Sequence, residues 1–63
     1  MTVAERIKAD IRVKGFKQYA VADKAEMPRQ EFYKLLSGRK KFDIEYLLPI
    51  CKVLDEKPSK YID

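Results

Sequence analysis

The sequence predicts an all-α fold, five short helices around one core, and three observations carry that expectation. Apolar residues recur at helical intervals, as in Val3, Ile7 and Ile11, or Ile44, Leu47, Leu48, Cys51 and Leu54. Residues suited to starting helices (Thr2, Pro28, Asp43, Pro58) and one suited to stopping them (Gly15) fall at the ends of those runs. The length, 63 residues, leaves room for one domain over 1–63. A domain of that size buries only about 60% of the surface its unfolded chain exposes.

Thr2 followed by Glu5 fits a capping box, in which the hydroxyl accepts an orphan backbone N–H and the carboxylate reaches back to the cap, so a first helix begins near Val3. Val3, Ile7 and Ile11 then form one stripe with Ala4 and Lys14 beside it, while Glu5, Arg6, Lys8, Asp10 and Arg12 cover the remaining faces. Gly15 is placed to take the left-handed conformation that ends this helix, with Phe16 folding back on its last turn. A basic helix can lie on a membrane surface, but this stripe is narrow and acidic residues interrupt the basic face.

A second helix is expected over about Gln18 to Ala25, with Val21, Ala22 and Ala25 inward and Tyr19 half buried. The small Ala side chains let the next helix approach closely. Lys17 is a poor cap by residue type, so this helix relies on packing. Glu26 and Met27 make a turn, and Pro28 starts a third helix because its fixed φ suits a first turn. Met27, Phe32 and Leu35 fall on one side of that helix with Leu36 flanking, and Arg29, Gln30, Tyr33, Lys34 and Ser37 fall on the other.

Gly38 to Phe42 reads as a loop carrying three adjacent cations, Arg39, Lys40 and Lys41, with Phe42 anchoring it in the core. Asp43 is expected to cap a fourth helix, whose buried face would comprise Ile44, Leu47, Leu48, Cys51 and Leu54. Pro49 inside it removes a hydrogen bond and crowds the Glu45 carbonyl, which predicts a kink or a separately wound first turn. Pro58 restarts a short fifth helix through Ile62, with Ile62 in the core and Tyr61 either in the core or lining a dimer contact.

Fourteen Lys and Arg against ten Asp and Glu give a formal charge of +4, unevenly placed. Residues 29–41 hold five basic side chains and one acidic, whereas 42–63 hold three basic and five acidic. Such a one-sided field suits a polyanion, although charge alone leaves an ordinary solvated face equally open. No apolar run approaches the ~18–20 residues of a membrane span and the start lacks a signal-peptide core, so the expected location is cytoplasmic. One cysteine and no histidine leave no familiar zinc set, no His-based triad and no imidazole acid or base. Cys51, among Ile50, Val53 and Leu54, reads as a buried structural thiol. Gly15 and Gly38 form no phosphate-binding loop. No metal, cofactor or small-molecule ligand is expected, and an enzyme is the least favoured class.

Gln18, the Val21-Ala22 pair, Met27, Phe32, Leu35 and Gly38 together resemble the phage Cro/repressor-type (lambda-repressor-like) helix-turn-helix family, with its pattern Q-x-x-L-A-x-x-x-G-[VI]-x-x-x-x-[IV]-x-x-[IW]-x-x-G. The similarity continues through Asp43–Leu48 and Ile50–Leu54, and no single residue in it is decisive; the joint spacing is specific. Two positions depart. The turn glycine is replaced by Glu26, for which a left-handed conformation costs roughly 1 kcal/mol or more. An acidic residue near the end of the motif is replaced by Leu36, exchanging a polar bridge for an apolar contact.

The resemblance implies an all-α domain whose partner is a double-stranded DNA operator, with transcriptional control as the usual role. Carried over by position, Arg29, Gln30 and Lys34 would face base edges in the major groove, and Tyr33 would pack on a sugar or a thymine methyl. Arg and Lys suit guanine acceptors and Gln suits adenine. Gln18 would sit over a phosphate and brace the first reading residue. Lys17, Ser37, Arg39, Lys40 and Lys41 would meet phosphates, holding register without reading sequence. For each of these side chains the alternative is an exposed residue with no ligand. A phage- or mobile-element-type repressor would place two copies on half-sites ~34 Å apart, the homodimer forming mainly on DNA. The competing class is a protein-interaction helix-turn-helix module, such as an antitoxin or anti-repressor partner, against which the basic loop argues. RNA binding is disfavoured by the lack of a stacking array of exposed aromatics.

Overall fold

Thr2 and Glu5 form the capping box: Thr2 Oγ1 accepts the Glu5 N–H at 3.2 Å and Glu5 Oε1 accepts the Thr2 N–H at 3.0 Å. In the computed structural model, which describes residues 1–62, this cap opens the first of four α-helices. They are α1 (Val3–Val13), α2 (Gln18–Lys24), α3 (Arg29–Leu36) and α4 (Ile44–Leu54). The expected fifth helix is instead a single 3-10 turn, Pro58–Lys60, closed by bonds from Lys60 N–H to the Lys57 carbonyl and Tyr61 N–H to the Pro58 carbonyl. Tyr61 turns into the core directly after it and ends it. None of the helices is long and apolar enough to cross a membrane, among the described residues.

All four α-helices stop by the same device. Gly15, Glu26, Gly38 and Asp55 take φ of +75°, +56°, +83° and +56°. The N–H groups of the residues that follow, Phe16, Met27, Arg39 and Glu56, then reach back 3.0 Å to the carbonyls of Ile11, Ala22, Lys34 and Cys51. This is the Schellman arrangement, and it satisfies carbonyls that would otherwise be orphaned. Glu26 therefore adopts the glycine conformation rather than remodelling the turn. Three of the four connections then share one form, in which the left-handed residue is followed by one residue and an extended N-cap: Lys17, Pro28 or Lys57. Pro28 thus precedes α3 with ψ 135° instead of occupying its first position. Asp43 stands at the N-cap of α4 without a side-chain capping bond.

The core draws on all four α-helices and on Tyr61. Ile7 and Ile11 of α1, Val21 and Ala22 of α2, Phe32 and Leu36 of α3, and Leu47, Ile50, Cys51 and Leu54 of α4 are buried with Tyr61. α1 packs on α3, α2 on both α3 and α4, and the terminal turn on α4. Fully buried Ala22 permits the close approach of α2. Phe42 and Met27 pack against the cluster from its edge.

Three expected core positions differ. Ile44 and Leu48 are 51% and 44% exposed, because the face that α4 buries runs Leu47, Ile50, Cys51, Leu54, the i, i+3, i+4, i+7 series, and leaves both to one side. Ile62 is 47% exposed and Tyr61 only 1%. The Tyr61 hydroxyl donates to Asp10 Oδ2 at 2.6 Å, so its ring can be buried with its polar tip satisfied. Leu36, read as flanking, is buried. α4 runs unbroken across Pro49, so its first turn is not separately wound.

Candidate nucleic-acid interface

α3 turns Phe32, Leu35 and Leu36 inward, and at 3.6 residues per turn Arg29, Gln30, Tyr33, Lys34 and Ser37 share the opposite arc of about 140°. All five are exposed. Gln30, Tyr33, Lys34, Ser37 and Arg39 line one shallow recess of the surface, and Gln18 and Lys8 join Tyr33 and Ser37 in the adjoining one. Most of the expected contact residues are therefore neighbours in space. Lys17 and Lys41 are exposed outside these recesses. Lys8 was not anticipated, because only the packing of α1 on α3 brings it to this surface.

One carbonyl of α3 holds the backbone at the start of the cationic loop. The Lys34 carbonyl accepts the Arg39 N–H at 3.0 Å, the Lys40 N–H at 3.2 Å and the Ser37 hydroxyl at 3.2 Å. Ser37 consequently presents an acceptor to an approaching ligand, its proton being turned inward. That suits a phosphate less well than the sequence suggests.

Two of the five cations between 29 and 41 are matched by carboxylates. Arg29 Nε and Nη2 donate to Asp23 Oδ1 and Oδ2 at 3.0 and 2.6 Å, bridging from α3 back to α2. The guanidinium also lies 5.0 Å from the centroid of the Tyr19 ring. The pair raises the Arg29 pKa and holds the Asp23 carboxyl below its usual value, the hydrogen bonds contributing more than the charge attraction. Lys40 Nζ bonds Glu31 Oε1 at 2.7 Å and lies 4.6 Å from the Tyr46 centroid. Glu31 is held low and Lys40 high chiefly by that bond. Lys34, Arg39 and Lys41 have no ion pair among the described residues. Gln18 makes no bond to α3 there either; the brace on Arg29 is Asp23.

The model of the Cro/C1-type helix-turn-helix DNA-binding domain family matches residues 6–60. The chain belongs to that family. No curated protein and no solved structure matches it. In this Cro/C1-type domain α2 and α3 are the two helices of the motif, and the 26–28 segment is its turn. The protein is accordingly a DNA-binding transcriptional regulator.

Proposed function

We propose that the protein is a repressor of the kind carried by phages or mobile elements, reading a short double-stranded operator with α3 in the major groove. One observation carries this reading: the exposed arc of α3 contains hydrogen-bonding and basic side chains but no carboxylate, since Glu31 lies off it and is held by Lys40. Arg29 and Lys34 suit guanine, and Gln30 suits adenine. Tyr33 packs on a sugar or thymine methyl. Arg39 and Lys41, joined by Lys17 and Gln18 at the start of α2, meet the phosphates on either side. Two copies bind half-sites about 34 Å apart, pairing on the DNA.

Selection of sites from random duplex DNA at physiological salt tests this. A defined, two-fold related consensus is expected. If two copies touch about six to eight phosphates, the log–log salt slope is roughly −5 to −7. No consensus, together with a flat salt response, would overturn the assignment.

A further inference from the structure

We propose that Asp23 is a specificity-determining positioning residue, which orients Arg29 so that it accepts guanine and little else. The inference rests on the reading of α3 given above and concerns a residue of α2 that lies off the reading arc. A guanidinium has five N–H donors in a rigid fork. Asp23 occupies the side of the fork formed by Nε and Nη2, and the Tyr19 ring lies beside the group at 5.0 Å, both contacts coming from α2. The edge left over carries Nη1 and the remaining N–H of Nη2. Those two parallel donors match O6 and N7 of guanine.

A free arginine at the start of α3 would have many rotamers and could settle on any phosphate or base acceptor. Clamped at two points, it has one orientation to offer. The same clamp brings a carboxylate to a surface that must meet phosphates, and Asp23 is half exposed. Asp23 therefore acts with opposite signs on two observables. It weakens binding to DNA of arbitrary sequence and strengthens discrimination at one base pair. A carboxylate that only masked the arginine would do the first without the second.

The experiment compares the full chain with Asp23→Asn, Asp23→Ala and Arg29→Ala, and with the double variant Asp23→Ala/Arg29→Ala. Each is titrated with the selected duplex, its single-base variants and a random duplex, and each is melted to confirm folding. Asp23→Ala and Asp23→Asn are expected to bind random duplex several-fold more tightly. Each is expected to lose about 5- to 100-fold of guanine preference at one position, with the other positions unchanged. In the Arg29→Ala background the Asp23 change should leave base preference where it was, since the two act as a unit. If Arg29→Ala abolishes a guanine preference that both Asp23 variants retain, the positioning role is overturned and the reading of α3 stands. If Arg29→Ala alters no base preference, both fall.

Discussion

Glu26 sits in a conformation that its side chain disfavours. With φ at +56° it holds the turn between α2 and α3, and Asp55 does the same after α4, while Gly15 and Gly38 meet the same requirement without strain. Glu26→Gly should stabilise the domain by about 0.5–1 kcal/mol, the relief of left-handed strain exceeding the added freedom of the unfolded chain. The melting temperature should rise by a few degrees with the DNA consensus unchanged, and a fall would show that the Glu26 side chain stabilises the turn in some other way. At this scale the sequence spoke unevenly. Arg29, Gln30 and Lys34 could be placed on one outer face because helical periodicity fixes relative direction within a helix. Asp23 could not be paired with Arg29, since six residues and a change of chain direction separate them and no period connects them. Lys8 escaped notice for the same reason.

The elements themselves were more legible, and the errors mark where local signals compete with packing. The bounds of α1 follow from its own residues, the Thr2–Glu5 box and Gly15. α4 has apolar residues around more of its circumference than it can bury, so its sequence allowed Ile44 and Leu48 into the core and only the packed fold excludes them. The proline rule put Pro28 one position too far into α3 and placed Pro58 correctly at the start of an element that is only a 3-10 turn, since a fixed φ is compatible with a cap or a 3-10 turn as well as with an α-helix. The α3–loop unit supports a prediction about division of labour. Lys34→Ala should cost about 1–3 kcal/mol on the preferred site and change its base preference, whereas Lys41→Ala should weaken all sequences alike and reduce the salt slope by about 1. Lys40→Ala should do less than Lys41→Ala, because Lys40 is already engaged by Glu31. Titrations at several salt concentrations on specific and random duplexes separate the three variants, and identical profiles would remove the distinction.

Across the whole molecule, a chain of polar groups fastens the C-terminal turn to the first helix. Tyr61 donates to Asp10, Lys60 lies 2.9 Å from Asp10 and 3.0 Å from Glu56, and Lys14 lies 3.0 Å from Glu56. The hydrogen bond from Tyr61 is the largest influence holding the Asp10 carboxyl below its ordinary 3.8, and that from Lys14 does the same for Glu56 from 4.5. The unfolded chain binds protons on these groups at higher pH than the native state does. Their stabilisation is therefore complete above about pH 5 and is lost as pH falls through the carboxylate range. Tyr61→Phe should cost about 1–2 kcal/mol at pH 7. Asp10→Asn should lower the melting temperature at pH 7, with its gap from the unaltered chain closing towards pH 3. A gap of constant size from pH 7 to 3 would show that the network contributes packing and no charge.

The connection between α3 and α4 departs from the form that joins the other elements. Elsewhere one residue separates the left-handed position from the next N-cap; here four do, between Gly38 and Asp43, and three of them are Arg39, Lys40 and Lys41. The fold closes elsewhere with the shorter link, and lengthening a surface loop costs only about 0.6 kcal/mol per doubling. The bonds to the Lys34 carbonyl and the packing of Phe42 hold the segment to the scaffold, while the charges of Arg39 and Lys41, unpaired among the described residues, can change without disturbing either. On the proposed reading, affinity for the DNA backbone can in this way evolve apart from stability.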